Sequence, residues 1–348
     1  MAFMSASDNK TILISGGAGF IGSAFVMHML SSHPNLRIIN VDALTYAGNL
    51  ENLQSLEQED RHVFVHAKIQ NTELMHSLCE QYDVEGMINI AAESHVDRSI
   101  HDASPFIDTN VQGTLSLLTV ARNLKLKKYV QVSTDEVYGS LELNSQGMFT
   151  EETPLAPNSP YSASKASADM FVRAFHHTHD VPTVITRCSN NYGPRQFPEK
   201  LIPLMILNAM ESKPLPVYGD GMNVRDWIHV QDHCNAIWLA YEHGKPGEVY
   251  NIGSDNEWSN LHIVHSILAL LGKSTDLIHF VQDRPGHDKR YAIDASKAKR
   301  ELHWKPNISF EQGLRETIQW YQEHPEWCEH ILNGQYRDYY SKQYQRER

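Results

Sequence analysis

Residues 11–23, TILISGGAGFIGS, decide the fold of this chain, because an apolar run is followed by Gly16, Gly19 and Gly22 at intervals of three. The apolar run at 11–15 predicts a short buried strand, and residues 20–30 predict an apolar helix. Glycines at the turn between them allow a pyrophosphate to approach the helix N-terminus, where backbone N–H groups without intrahelical partners favour anions. The spacing GxxGxxG is a variant of the GxGxxG fingerprint for dinucleotides.

The next predicted strand, residues 37–41, ends at Asp42, about twenty residues after Gly22. A carboxylate at this place binds the adenosine ribose hydroxyls and repels a 2′-phosphate. It favours NAD over NADP, since no arginine follows closely. The order of strand, glycine turn, helix, strand and acid therefore predicts an NAD-binding unit.

Further along, short apolar runs alternate with helical patterns, which is typical of a parallel sheet with crossover helices. The predicted strands are residues 63–66, 86–90, 129–132 and 183–186, and the Ser-Pro pairs at Ser104 and Ser159 predict helix starts. After residue 188 the chain becomes rich in Gly, Pro, Asn and aromatic residues. We predict an α/β fold: a Rossmann-like, doubly wound parallel sheet with a smaller C-terminal substrate-binding α/β part.

The predicted domain limits follow from the same change in texture. Residues 1–188 form the NAD-binding domain and carry the catalytic residues. Residues 189–333 mainly bind a nucleotide sugar and can be interleaved with the first domain. Residues 334–348 form a polar C-terminal tail.

Composition excludes several classes of protein. The formal net charge of −12 argues against a nucleic-acid-binding surface. The four cysteines are far apart in the sequence, so neither a zinc site nor a disulfide is expected from them. The closest group of histidines, within residues 176–179, is interpreted as a helix end and not as a metal site. No apolar stretch is long enough to span a bilayer, and residues 1–10 lack the apolar core of a signal peptide. We expect a cytoplasmic protein that binds neither nucleic acid nor membrane.

Two later stretches combine side chains suited to acid–base chemistry. Thr134, Asp135 and Glu136 follow the apolar run 129–132, at the strand end where ligands bind in doubly wound sheets. Tyr161 and Lys165 share one face of a predicted helix. Alone, the first group is usually a solvated turn and the second a surface pair. Beside a nucleotide-binding turn, they indicate an oxidoreductase site with an additional acid–base pair.

These pieces together resemble the extended short-chain dehydrogenase/reductase family. The stretches that carry the resemblance are GGAGFIGS at 16–23, DALTYAGN at 42–49, AAESHVDRSI at 91–100, STDEVYG at 133–139, YSASK at 161–165, SNNYGPRQFPEKLIP at 189–203, YGDGMNVRDWIHV at 218–230 and RPGHDKRYAID at 284–294. The glycine and YxxxK motifs indicate only the wider family. The Asp-Glu pair and the last two stretches resemble the branch that converts dTDP-glucose into dTDP-4-keto-6-deoxyglucose and water, a lyase with catalytic NAD.

The resemblance implies a role for each residue of the two acid–base motifs. Tyr161 takes the proton of the sugar C4 hydroxyl while hydride leaves C4, and Lys165 helps to lower the Tyr161 pKa. Thr134 polarises the C4 oxygen. Glu136 removes the C5 proton, Asp135 protonates the departing C6 hydroxyl, and hydride returns to C6. The two neighbouring carboxyl groups need environments that push their pKa values apart.

The resemblance also implies the binding residues, with none assigned to a metal. NAD is expected to contact Gly16, Gly19, Phe20, Ile21, Gly22, Asp42, Leu44, Thr45, Gly48, Ile69, Ala91, Ala92, Tyr161 and Lys165. The nucleotide sugar is expected to contact Ser94, Asn190, Lys200, Leu201, Pro216, Tyr218, Arg225, Asn260, Arg284 and His287. Tyr218 is the expected stacking partner of the base, and arginines suit a diphosphate because they donate in pairs.

One position departs from the family pattern. Lys68 stands where the family commonly has an acidic residue that contacts the adenine amine, and a lysine cannot accept that hydrogen bond. We therefore expect weaker or differently arranged NAD binding, with Ile69 still packed on the ring.

Other functions remain open at this point. They are a sugar-nucleotide 4-epimerase or decarboxylase of the same family, a UDP-sugar 4,6-dehydratase, and a cofactor-binding regulator without catalysis. The Asp-Glu pair argues against the epimerase, and the retained Thr134, Tyr161 and Lys165 argue against the regulator. Family members are commonly dimers through two helices, here residues 104–123 and 159–177, so a homodimer is expected.

Overall fold

A parallel sheet of seven strands forms the centre of the molecule, and its strand order fixes where ligands can enter. The computed structural model describes residues 10–283 and 286–332, so the predicted tail at 334–348 and Arg284 lie outside the described residues. In chain order the strands are β1 (Lys10–Ser15), β2 (Leu36–Asp42), β3 (His62–His66), β4 (Gly86–Asn89), β5 (Lys128–Thr134), β6 (Thr183–Cys188), β7 (Asn190–Tyr192), β8 (Leu215–Tyr218), β9 (Val224–His229), β10 (Val249–Ile252), β11 (Glu257–Ser259) and β12 (Ile278–Val281).

Helices connect these strands. The α-helices are α1 (Phe20–Ser32), α2 (Thr72–Gln81), α3 (Val96–His101), α4 (Ser104–Phe106), α5 (Thr114–Leu124), α6 (Pro160–His179), α7 (Leu201–Met210), α8 (Val230–His243), α9 (Asn260–Leu271), α10 (Ser296–Glu301), α11 (Phe310–Glu323) and α12 (Pro325–Ile331). Short 3₁₀ turns span Leu50–Leu56, Asp135–Tyr138 and Thr275–Leu277, and a π-helical segment spans Ile107–Gly113.

The large sheet has the order β3-β2-β1-β4-β5-β6-β10, with every neighbouring pair parallel. Strand β1 lies between β2 and β4, so the direction of winding reverses there. A reversal of this kind opens a crevice at the carboxyl ends of the strands. The predicted Rossmann-like, doubly wound parallel sheet is confirmed.

Alternation along the strands builds a core on each face of this sheet. Ile12 and Ile14 pack with Phe25 of α1 and Ile237 of α8, whereas Leu13 belongs to the opposite core, with α2, α5 and α6. Both faces are therefore covered, which is why these strands read as nearly continuous apolar runs in the sequence.

A smaller part with its own core follows β6. It contains the sheet β11-β9-β7 and the parallel pair β12-β8, and α7, α9, α11 and α12 bury their apolar faces together. Helix α8, which lies beyond residue 188, nevertheless packs on the large sheet, and β10, which also lies beyond it, is an edge strand of that sheet. The predicted domain limit at residue 188 stays a prediction.

The two Ser-Pro pairs differ in what they do. Ser159 caps α6 in a reciprocal capping box with Ser162, which confirms the predicted start and puts Tyr161 in the first turn. Helix α4 begins at Ser104, which confirms the predicted start, but its N-cap is Ala103, and the Ser104 backbone N–H donates to Asp102 Oδ1 at 2.9 Å. The segment after it widens into the π-helical turn before α5 begins.

The described helices and side chains limit two further classes of feature. No helix within residues 10–283 and 286–332 is long and apolar enough to cross a membrane. No group of three or more His, Cys, Asp or Glu side chains in the same ranges is placed to hold a metal ion. The four cysteines are buried free thiols.

His233 gives a test of how burial links stability to pH. It is fully buried on α8, its Nδ1 is 2.8 Å from Asn191 Oδ1, and burial lowers its pKa to about 3. The unfolded chain therefore binds one more proton than the folded chain between pH of about 6.5 and about 3, and stability falls as the pH falls through this window. We expect His233→Gln to reduce the slope of the free energy of unfolding against pH by about 1.4 kcal/mol per pH unit there.

Urea unfolding of the chain without added ligand, at a series of pH values, measures this slope. His243→Gln is the matched control, since His243 lies on the same helix with an exposed side chain. Equal slopes for His233→Gln and the parent chain would contradict the assignment.

Candidate active site

A cavity of about 520 Å³ lies at the carboxyl ends of β1, β2, β4, β5 and β6. This volume suits a small-molecule site. Its walls come from the glycine turn after β1, from Asp42 at the end of β2, from the residues that follow β4, and from the ends of β5 and β6. The crevice predicted from the strand order is therefore where the polar side chains meet.

The glycine turn brings backbone close to backbone. Gly16 has φ of +76°, and a Cβ there would lie 2.7 Å from the backbone of Ala91. A Cβ on Gly22 would lie 2.0 Å from the carbonyl oxygen of Gly16, whereas a Cβ on Gly19 would meet only that oxygen at 3.4 Å. Gly22 is thus required by the fold of the turn, and Gly19 leaves its space to the cavity.

Asp42 is held beside this turn by backbone donors. Its Oδ2 accepts from Ala18 N at 2.9 Å and its Oδ1 from Leu44 N at 2.8 Å. Burial raises the pKa of Asp42, and these hydrogen bonds partly oppose the shift. Each carboxylate oxygen has two lone pairs, so both can still accept a hydroxyl of a ligand.

The end of β5 presents the predicted acid–base residues. Thr134 is the last strand residue, and its Oγ1 accepts from Glu136 N at 3.3 Å, which starts the 3₁₀ turn Asp135–Tyr138. The Thr134 hydroxyl also donates to Asp135 Oδ1 at 3.4 Å. Thr134 and Tyr161 line the same cavity, so the two acid–base motifs meet there.

Asp135 and Glu136 lie in different environments although they are adjacent. Asp135 is 1% exposed, and its Oδ2 has no hydrogen-bond partner in the described part of the chain. Burial, and next the negative charge of Glu136, raise the pKa of Asp135 well above its usual value. Glu136 is only half-buried and faces the cavity. Asp135 is therefore suited to keep a proton and donate it.

Tyr161 and Lys165 are both buried in the cavity wall. Burial, and next the charge of Glu136, raise the pKa of Tyr161 well above its usual value, and the role of Lys165 in lowering it stays a prediction. The Lys165 ammonium donates to the carbonyl of Val132 at 2.7 Å, and burial lowers its own pKa. Tyr161 is accordingly a neutral phenol in this structure, and additional positive charge is needed for it to act as a base.

Most of the predicted contact residues line the cavity. Besides the five acid–base residues, these are Gly16, Gly19, Phe20, Ile21, Gly22, Asp42, Thr45, Gly48, Ile69, Ala91, Ala92, Ser94, Asn190 and Lys200. Lys68 is also in the lining, with an exposed side chain next to buried Ile69. The binding roles of these residues stay predictions.

The remaining predicted contact residues among the described ones are not part of the cavity wall. They are Leu44, Leu201, Pro216, Tyr218, Arg225, Asn260 and His287. The Arg225 guanidinium donates to the carbonyl of Asp288 at 2.9 Å and to its own strand at Val224. Tyr218 donates to Asp97 Oδ2 at 3.3 Å and lies edge-on to His287.

Glu199 is a cavity residue that the sequence did not single out. It is 5% exposed, accepts from Arg98 Nε at 3.0 Å, and contributes to raising the pKa of Tyr46 well above its usual value. Burial raises the pKa of Glu199 itself. The stretch 189–203 was noticed, but a single glutamate within it has no partner close in sequence that would reveal its burial.

Comparison with known proteins agrees with this geometry. A family model described as GDP-mannose 4,6 dehydratase matches residues 13–317. The dTDP-glucose 4,6-dehydratase of Neisseria meningitidis serogroup B is 49% identical over 348 residues, which cover 94% of this chain and 98% of that protein.

Solved structures are similar over the same extent. The dTDP-glucose 4,6-dehydratase of Bacillus anthracis in complex with NAD is 54% identical, with a TM-score of 0.87, and the match covers 92% of this chain and 99% of the other. The dTDP-glucose 4,6-dehydratase of Streptomyces venezuelae, with NAD and TYD bound, is 46% identical, with a TM-score of 0.89 and the same coverage. The branch indicated by the sequence motifs is confirmed.

Proposed function

This chain belongs to the 4,6-dehydratase family of nucleotide-sugar enzymes, and we propose that it converts dTDP-glucose into dTDP-4-keto-6-deoxyglucose and water with NAD as its cofactor. The observation that carries the proposal is the pair Asp135 and Glu136, one buried and one half-buried, in the wall of the cavity that Thr134 and Tyr161 also line. A redox reaction alone needs only the phenol. The second acid–base pair suits the elimination of water.

The residues around the glycine turn fit NAD. The N-terminus of α1 offers free backbone N–H groups to a pyrophosphate, and Asp42 offers carboxylate oxygens to ribose hydroxyls. When bound, NAD accepts hydride from C4 of the sugar and returns it to C6. An exposed lysine at position 68 leaves the adenine amine without an acceptor at that place, so we expect a weaker contact there.

Tyr161 and Thr134 act at C4. Tyr161 takes the proton of the C4 hydroxyl when the positive charge of Lys165 and of the cofactor lowers its pKa. Thr134 hydrogen-bonds the same oxygen and polarises the ketone that forms. The ketone then acidifies the hydrogen on C5, which makes the next step possible.

Glu136 and Asp135 act at C5 and C6. Glu136 takes the C5 proton, the electron pair of the C5–H bond forms the C5–C6 double bond, and the C6–O bond breaks. Asp135, whose raised pKa keeps it protonated, gives its proton to the departing hydroxyl, which leaves as water. Hydride at C6 and a proton at C5 complete the 6-deoxy sugar.

The test is to incubate the purified chain with dTDP-glucose, with and without added NAD, and to identify the products by mass and NMR. Loss of one water with a 4-ketone and a C6 methyl group is the expected result. Turnover of UDP-glucose instead would keep the chemistry and change the nucleotide. A C4 epimer would replace the proposal by an epimerase, and the absence of any product would leave a cofactor-binding regulator.

A matched pair of glycine variants separates cofactor binding from folding. Gly19→Ala places its Cβ toward the cavity without a close backbone contact, so we expect NAD to bind about tenfold more weakly, equivalent to about 1.4 kcal/mol, with stability retained. Gly22→Ala forces its Cβ onto the carbonyl of Gly16, and we expect unfolding to become easier by about 1–3 kcal/mol. Calorimetric titration with NAD and urea unfolding measure the two effects, and the reverse pattern would contradict these assignments.

We also propose that two copies associate through α6 and the π-helical segment. Ile107, Met170 and Phe171 are large apolar side chains, 57%, 46% and 39% exposed, on elements that lie side by side. Sedimentation of the parent chain is expected to give a dimer, and Phe171→Glu a monomer. Phe280→Glu, at an apolar position 46% exposed on β12, should leave the dimer intact. A monomeric parent chain would contradict the proposal.

The proposed location is the cytoplasm. The support for this proposal is that the four cysteines are unpaired thiols, as reducing compartments favour.

A further inference from the structure

We propose that a buried chain of three side chains, Asp169, Arg187 and Tyr138, holds the two catalytic motifs in register with each other. The proposal rests on the function proposed above, because it concerns how the hydride-transfer residues are placed relative to the dehydration residues. In this view Asp169 and Tyr138 are positioning residues and do not touch the substrate.

One end of this row of three side chains, Asp169, lies on α6, the helix that carries Tyr161 and Lys165. Tyr161, Lys165 and Asp169 are spaced by four residues on α6, so they lie on one face. Asp169 is fully buried, and its Oδ2 lies 2.9 Å from Arg187 Nε on β6. Asp169 also faces Lys165, because its negative charge raises the Lys165 pKa against the effect of burial.

The other end of this row, Tyr138, lies on the 3₁₀ turn Asp135–Tyr138, which carries the two carboxyl groups proposed for dehydration. Arg187 Nη1 donates to the Tyr138 hydroxyl at 3.0 Å. The Arg187 guanidinium carbon lies 4.9 Å from the centre of the Tyr138 ring. The Tyr138 hydroxyl in turn donates to Asn251 Oδ1 at 2.7 Å. Tyr138 is the last residue of the 3₁₀ turn that begins with Asp135 and Glu136.

The chain therefore bridges the elements that must cooperate. A helix carries the C4 base and its lysine, a turn carries the C5 base and the C6 acid, and Arg187 on the strand between them binds both. A buried ion pair is weak evidence for added stability, because desolvation offsets its attraction. Its directional hydrogen bonds, in contrast, fix the angle between the two elements, and a displacement of about 1 Å costs about a hundredfold in rate.

Tyr138→Phe is the sharpest test, because it removes one hydroxyl and keeps the ring that stacks on Phe149. The turn should shift while Tyr161 and Lys165 stay in place. We expect kcat to fall about 10- to 100-fold with substrate affinity by calorimetry unchanged. Because C4 is still oxidised while water elimination lags, the share of enzyme with reduced nicotinamide during turnover, read by its near-ultraviolet absorbance, should rise.

Tyr250→Phe is the matched control. Tyr250 is fully buried on β10. Its hydroxyl accepts from Lys245 N and donates to Glu301 Oε2, and neither partner belongs to the turn Asp135–Tyr138. Asp169→Asn is a second variant, which removes the negative charge beside Lys165 and weakens the ion pair with Arg187. We expect it to slow C4 oxidation as well as water elimination. It is interpreted only if its circular dichroism matches the parent chain.

The outcomes separate the inference from the proposed function. Parental kcat in Tyr138→Phe, or a loss of kcat without a rise in reduced cofactor, would overturn the inference. So would an equal loss in Tyr250→Phe. Failure of the parent chain to dehydrate dTDP-glucose would overturn the proposed function instead.

Discussion

Replacing Tyr161 by Phe is expected to lower turnover of dTDP-glucose by about 10³- to 10⁴-fold, the upper half of the range for general acid–base groups. Tyr161 is the base for the C4 hydroxyl, and every later step depends on the 4-ketone. No reduced nicotinamide and no dehydrated product should accumulate. Single-turnover absorbance and NMR of the sugar measure both.

The packing of the Tyr161 ring suggests that Tyr161→Phe keeps its fold, and a second buried tyrosine supplies the control. The Tyr161 ring is almost buried and lies edge-on to Phe106 at 6.2 Å, so removal of the hydroxyl alone should leave the packing intact. Tyr250→Phe removes a hydroxyl from a buried ring outside the cavity wall and should turn over at the parental rate. Reduction of the cofactor at the parental rate by Tyr161→Phe would show that another group is the C4 base.

Replacing Glu136 by Gln is expected to stop the reaction one step later. The amide keeps the shape of the side chain but cannot take a proton from C5, so kcat should fall by about 10²–10⁴-fold. C4 oxidation does not need this carboxylate, so reduced nicotinamide should appear and remain. The same absorbance and NMR measurements apply.

The two variants therefore have opposite signatures in the cofactor signal. Glu142→Gln is the control for Glu136→Gln, because Glu142 is exposed and pairs with Lys289 outside the cavity. If Glu136→Gln formed product at the parental rate, the role given to Glu136 would be wrong. If it formed neither reduced cofactor nor product, Glu136 would be required before the elimination step.

The fold was predictable from the sequence because its signals are local. The run 11–15, the glycine turn and Asp42 lie within one β-α-β unit, and the structure places them as strand, turn and strand end. The capping box at Ser159 is likewise complete within four residues. At Ser104 the helix also begins, but the backbone N–H groups of Phe106 and Ile107 donate to the carbonyl of Ala103, so the serine side chain is not the cap.

Parts of the site could not be predicted because they depend on contacts between distant residues. Glu199 meets Arg98, which is about a hundred residues away in sequence. Arg187 meets Asp169 and Tyr138, and the three side chains come from separate elements. The pKa of Tyr161 is raised mainly because the side chain is buried, and no sequence motif encodes that burial. The sequence thus predicts which groups react, while the burial that shifts their pKa values and the contacts that hold them depend on the packed structure.

The central claim is that hydride leaves C4 and returns to C6 of the same sugar while Glu136 and Asp135 expel water between these events. The most direct test is to convert dTDP-glucose deuterated at C4, in ordinary water, and to locate the label by NMR. The expected product has deuterium in the C6 methyl group and a solvent hydrogen at C5. A dehydrated product without deuterium at C6, or a C4 epimer that keeps its C6 hydroxyl, would contradict this account.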